Sequence, residues 1–87
     1  MSPHDTPFRN LPSHLARLLP LLALGHTNVE IAETLFLSTH TVENYVGALR
    51  ERTGCRDRVA LVLASAEWLR VAAAIAQTLP LIIDGTD

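Results

Sequence analysis

The stretch HTNVEIAETLFLSTHTVENYVGALRERTG, residues 26–54, decides how this chain of 87 residues folds. Thr27 and Glu30 form a capping-box pair, in which the hydroxyl and the carboxylate each take a free amide at a helix start. The spacing predicts a short helix from Asn28, with Ile31, Ala32 and Leu35 facing inward and Ala32 small where a neighbouring helix comes close. Phe36 and Leu37 form a turn, and Ser38 caps the next helix. There Val42, Val46, Leu49 and Thr53 recur at i, i+4, i+7 and i+11, which defines a buried stripe. The opposite side carries His40, Glu43, Asn44, Gly47, Arg50 and Glu51, and Gly54 closes the helix.

Two helices joined by a tight apolar turn are the pattern of a helix-turn-helix, whose second helix enters the DNA major groove. Working outward toward the N-terminus, Leu11, Leu15, Leu18, Leu19, Leu22 and Ala23 recur at three and four positions, as on one face of a first helix. Ser13 is placed to cap it. Pro20 lies inside it, where a ring removes one backbone bond at a cost of about 3 kcal/mol, so a kink or a late start is expected. Gly25 supplies the left-handed residue that ends it. Residues 1–10, polar with two prolines and no period, read as a flexible lead.

Toward the C-terminus, CRDR leads into a helical stretch from Val59 to about Thr78, about 30 Å long at 1.5 Å per residue and ended by Pro80. It carries two apolar stripes. One is Val59, Val62, Ala66, Leu69, Ala73 and Ala76; the other is Leu61, Ala64, Trp68, Val71 and Ile75. A helix apolar on two faces must be covered on both, and a second copy of the chain is the economical cover. Trp68 alone can bury roughly 150–250 Å². The expected dimer surface is therefore Leu61, Ala64, Trp68, Val71 and Ile75. The alternative is that residues 79–83, LPLII, fold back over the second stripe within one chain. The organisation is a lead at 1–10, one helical domain at 11–79 and an apolar tail at 80–87.

Composition sets bounds on function. Hydrophobic residues make up 48% of the chain and charged ones only 18%, so surface must be shared for so small a domain to hold together. Net charge is -2, so no strong basic field marks a nucleic-acid partner; yet all positive residues are arginine, and Arg50, Arg52, Arg56 and Arg58 cluster. With Glu43, Glu51 and Asp57 the segment 38–58 nets +1. The lone Cys55 suits a reducing compartment and reads as a small core residue; no histidine is placed to activate it, so no enzyme is expected. His4, His14, His26 and His40 lack cysteine partners at ligand spacing, so neither metal nor other cofactor is expected. The run RLLPLLALG at 17–25 is too far from Met1 for a signal peptide. Ser65, Glu67, Arg70 and Gln77 interrupt the single candidate for a membrane span, so a soluble cytoplasmic protein with no membrane contact is expected.

With these residues in place, the segment from Leu11 to about Leu69 resembles the LuxR/GerE-type helix-turn-helix domain of bacterial transcription regulators. The resemblance is carried by Leu11 and Leu19, by Gly25, by TNVEIAETLFLS and TVENYV, and by Gly54, Asp57 and Arg58. It implies an all-α domain of four helices, the third reading DNA and an extended fourth forming a dimer. It places Glu43, Asn44 and Gly47 toward base edges, and Thr27, Asn28, Thr39, His40, Arg50, Arg56 and Arg58 toward phosphates. Glutamate stands at Glu43 where relatives often carry a base, Gly47 offers no side chain, and Leu15, Arg17, Pro20 and Leu24 replace residues that are commonly acidic or polar. The resemblance implies a homodimeric, stand-alone transcription regulator that binds specific double-stranded DNA. The competing expectation is a module that keeps this fold and binds another regulatory protein, for which Gly47, Leu24 and an exposed Leu15 speak.

Overall fold

The computed structural model describes residues 7–84, with side chains described through Gln77. Among the described residues all regular structure is helical: α1 (Ser13–Ala16), α2 (Leu19–Ala23), α3 (Asn28–Leu35), α4 (Thr39–Thr53) and α5 (Arg58–Asp84). The fold is all-α, with α1 and α2 as two halves of one broken helix, which makes four helical units.

The break follows from Pro20. Ring nitrogens cannot donate, so Pro20 is tolerated only where a helix has unpaired amides anyway, in its first turn. The chain meets this by stopping α1 at Ala16 and restarting at Leu19, which leaves Pro20 in the opening positions of α2. Leu22 N–H then donates to the Leu18 carbonyl at 2.9 Å. Ser13 does not cap α1. The amides of Leu15 and Ala16 donate instead to the Pro12 carbonyl, at 3.0 and 2.9 Å, and Ser13 becomes the first helical residue.

The caps of α3 and α4 form as the sequence dictates. Thr27 N–H donates to Glu30 Oε1 at 2.8 Å, and Glu30 N–H donates to Thr27 Oγ1 at 3.2 Å. Thr41 N–H donates to Ser38 Oγ at 3.0 Å, opening α4. Gly54, at φ 73°, ends α4 with its amide on the Arg50 carbonyl. Phe36 is the residue that ends α3, and it does so at φ 57°, an unusual angle for a residue with a Cβ.

The core gathers Leu15, Leu18, Leu19, Leu22, Ile31, Ala32, Val42, Val46, Leu49 and Leu61. α2 lies along α5, α3 against α4, and α4 also touches α1 and α5, so the long helix is the platform on which the helix pair is carried. Leu15, only 2% exposed, belongs to this core, which corrects the reading of it as an exposed docking residue. Its place at the centre of α1's inward face leaves no solvent side.

Helix α5 departs from expectation in four ways. Its backbone stays helical from Arg58 to Asp84, across Pro80, where the sequence pattern ends it. A proline interrupts a single bond, to the carbonyl four residues earlier, and the helix-forming run VAAAIAQTL precedes it. The side chains of LPLII lie outside the described residues, as do His4 and the rest of residues 1–6. Second, Leu61 is 0% exposed in the chain's own core, so it cannot serve a dimer surface. Third, Trp68 is half-buried against that core, with Phe8 stacked on it at 6.0 Å between ring centres. Phe8 is thereby a packed residue rather than part of a structureless lead. Fourth, Arg58–Gln77 is long and apolar enough, by length and composition alone, to cross a membrane, contrary to the expectation that its polar residues exclude this. Leu61 and Ser65 in its first half are nevertheless wholly enclosed by the helices of this domain. Among the described residues, the large apolar side chains of α5 left exposed are Val59, Leu63, Val71 and Ile75.

Candidate nucleic-acid interface

The buried stripe of α4, Val42, Val46 and Leu49, fixes which way the helix faces. At 100° per residue, Glu43, Asn44, Gly47 and Glu51 then fall within one arc turned away from the core, with Arg50 on its flank, and all are exposed. Gly47 sits near the middle of that arc, with Glu43 to one side of it and Asn44 to the other. A Cβ built on Gly47 meets nothing within 4 Å, so the absence of a side chain there is not demanded by packing. It leaves a bare patch of helix between two polar residues, where another molecule can approach the backbone closely.

The charges around this face differ in how far they are already engaged. His40 Nδ1 stands 4.0 Å from Glu43 Oε2, both side chains largely in solvent, so this is a loose pair. Arg50 is exposed and donates from Nη2 to the Arg56 carbonyl, which tethers its guanidinium to the loop after α4 while leaving other donors. Arg52 and Arg56 are exposed as well. Arg58 is different. It is half-buried, with Nη1 donating to Asn28 Oδ1 at 2.6 Å and Nη2 to the His26 carbonyl at 2.8 Å.

At the other helix start, Thr27 is exposed, Asn28 half-buried and Thr39 half-buried. The bond from the Thr27 backbone amide, and then that of its side chain, hold the Glu30 carboxyl below its ordinary range. Glu30 is therefore an anion committed to the helix cap. The structure thus places Thr27, Asn28, Thr39, His40, Arg50 and Arg56 at or near the surface, and it puts Glu43, Asn44 and Gly47 on one face. Arg58 it turns inward to the start of α3. Sequence reasoning could not have found that bond, because it joins residues 30 apart with no local pattern between them.

An eight-residue helix, a short turn and a fifteen-residue helix with a polar outer face, carried on a long platform helix, define a helix-turn-helix domain. The model for the luxR family of bacterial regulatory proteins matches residues 16–65, and the chain belongs to that family, a family of DNA-binding regulatory domains. It is 39% identical over 58 residues to the oxygen regulatory protein NreC of Staphylococcus carnosus (strain TM300), covering 67% of this chain and 27% of that protein. Against the oxygen regulatory protein NreC of Staphylococcus aureus (strain JH9) it is 39% identical over 56 residues, 64% of this chain and 26% of the relative. The chain thus spans about a quarter of the length of these relatives. No solved structure matches it.

Proposed function

We propose that this domain binds specific double-stranded DNA as a homodimer and thereby regulates transcription, with α4 in the major groove. The observation that carries the reading is the outer arc of α4. Its core stripe is sealed inward, while Glu43, Asn44 and the bare backbone at Gly47 share the opposite face. Asn44 can bond an adenine edge through two hydrogen bonds, and Glu43 can accept from a cytosine amine. Gly47 lets the helix approach the base edges between them.

Phosphate contacts fall to Thr27, Asn28, Thr39, His40, Arg50 and Arg56, with arginine suited to phosphate oxygens. Dimerisation uses the large apolar side chains that α5 leaves in solvent among the described residues, Val59, Leu63, Val71 and Ile75, which keeps Val71 and Ile75 of the stripe through Leu61 and gives up Leu61 to the core. A two-fold dimer would set two copies of α4 about one helical turn of DNA apart, roughly 34–36 Å. The weak net charge of the reading segment makes pairing of two heads necessary for tight binding. The reading carries a cytoplasmic location with it, beside the DNA.

Selection of binding sites from random duplex DNA with the purified chain tests this. A palindromic motif with half-sites one turn apart supports both the reading helix and the dimer. Enrichment of no motif sinks the proposal. Leu24, 73% exposed at the end of α2, is the observation that favours the second reading, engagement of another regulatory protein. Under that reading, Arg50→Ala leaves function intact while Leu24→Ser abolishes it.

A further inference from the structure

Arg58 belongs to the basic cluster, and its place in the chain makes it a natural candidate for a phosphate. Its geometry says otherwise. The guanidinium reaches from the first turn of α5 to the first residues of α3, donating to Asn28 Oδ1 at 2.6 Å and to the His26 carbonyl at 2.8 Å. The backbone on either side of Asn28 is already clamped by the reciprocal bonds of Thr27 and Glu30. What freedom Asn28 keeps is in its side chain, and Arg58 takes it.

The two ends of the Asn28 amide are chemically distinct: Oδ1 only accepts and Nδ2 only donates. A guanidinium has donors and no acceptor, so the atom that faces Arg58 must be Oδ1 whatever the placement of the two ends. Phosphate oxygens are acceptors, so an asparagine can hold a phosphate through Nδ2 alone. Arg58 therefore engages the end of the amide that is useless to DNA and leaves the useful end to give. A cationic donor on Oδ1 also polarises the amide and makes Nδ2 a stronger donor.

We infer that Arg58 is a positioning residue for DNA binding: it fixes the Asn28 amide with Nδ2 toward a backbone phosphate and is not itself a phosphate ligand. The inference rests on the DNA-binding reading above. In that reading α3 is the helix that crosses the DNA backbone, and its first residue is Asn28. The same bond ties α3 to the platform helix, so the presented amide and the reading helix keep a fixed relation.

The test is a double-mutant cycle on a selected duplex, with wild type, Asn28→Ala, Arg58→Met and the double variant titrated at several salt concentrations. Removing a hydrogen bond to a charged group is expected to weaken binding about tenfold in Asn28→Ala. Arg58→Met should weaken it by a similar factor, and the double variant no further than either single one. The slope of log affinity on log salt should stay at the wild-type value in Arg58→Met. Removal of a direct phosphate ligand would instead make that slope shallower by about 0.9 per phosphate released. A shallower slope, or losses that multiply in the double variant, overturns the inference.

Circular dichroism checks that Arg58→Met is folded, and Arg58→Lys, which keeps one donor for Oδ1, serves if it is not; partial recovery of affinity is then expected. In the free protein, the Asn28 side-chain amide resonances should move in either Arg58 variant and stay in Arg52→Met. Unmoved resonances also overturn the inference. A wild-type chain that fails to bind any duplex defeats the DNA reading instead, and the resonances still report whether Arg58 holds Asn28.

Discussion

Gly47 offers a substitution in which stability and recognition should part company. It lies in the interior of α4, where glycine costs about 0.8–1.0 kcal/mol relative to alanine because the unfolded chain is freer and no side chain shields the helix. A Cβ at this position meets no atom within 4 Å, and its φ is ordinary, so nothing in the fold offsets that gain. Gly47→Ala should therefore stabilise the domain by nearly the full amount. For a domain of this size that is a rise of roughly 4–8 °C in Tm per kcal/mol. Gly47→Leu should do almost as well, since leucine ranks close to alanine in helix propensity.

On DNA the two variants should differ. A methyl group is a small addition beside Glu43 and Asn44. A leucine would hold the helix off the base edges and disrupt contacts that are each worth about 1–3 kcal/mol, a loss of tenfold or more in affinity. The assay is a thermal melt followed by anisotropy titration on the selected duplex. If Gly47→Ala leaves the melt unmoved or lowers it, the outer arc of α4 is not open. If Gly47→Leu is stable and binds as wild type does, α4 does not face the groove.

Other outcomes follow from the same packing. Phe36 holds a left-handed φ of 57° while 93% exposed, so Phe36→Asn sheds strain without losing burial and should add about 0.5–1 kcal/mol in denaturant unfolding. Leu61→Ala, which empties a site wholly inside the core, should cost about 2–5 kcal/mol whatever the protein concentration, whereas Leu63→Ala should show its effect in the monomer–dimer equilibrium by sedimentation. The Glu30 carboxyl titrates below its ordinary 4.5 in the folded chain. The stability it lends is therefore fully present above that value and lost as pH falls through the lowered one. Glu30→Gln should be less stable than wild type near neutral pH, and the gap should close in acid melts.

Local chemistry made much of this fold legible. The Thr27–Glu30 cap, the Ser38 cap, Gly54 and the stripe of Val42, Val46 and Leu49 each act within a turn or two of themselves, so the pattern carried them into the structure intact. Pro20 was legible as a disturbance, but its form depended on whether α1 could stop and restart, which the packing of α2 along α5 decides. Helix α5 was the hardest to read, because two apolar stripes of similar strength do not reveal which one the domain covers. Packing against α2 covered neither stripe whole: it took Leu61 and Ser65 together with Val62 and Leu69 from the other stripe, left Val71 and Ile75 out, and Phe8, from outside any periodic segment, covered Trp68. At the site, the arc of Glu43, Asn44 and Gly47 followed from the stripe opposite it. The turning inward of Arg58 did not, since charge and spacing are the same for an arginine that reaches a phosphate and for one that braces a loop.

In the proposed function, the outer face of α4, doubled through α5, holds duplex DNA. Anisotropy titration of the selected duplex across a range of salt concentrations tests it most directly. Two or three phosphate contacts per subunit in a dimer predict a slope of log affinity on log salt of about −4 to −5. No binding at low salt, or binding indifferent to both salt and sequence, would contradict it.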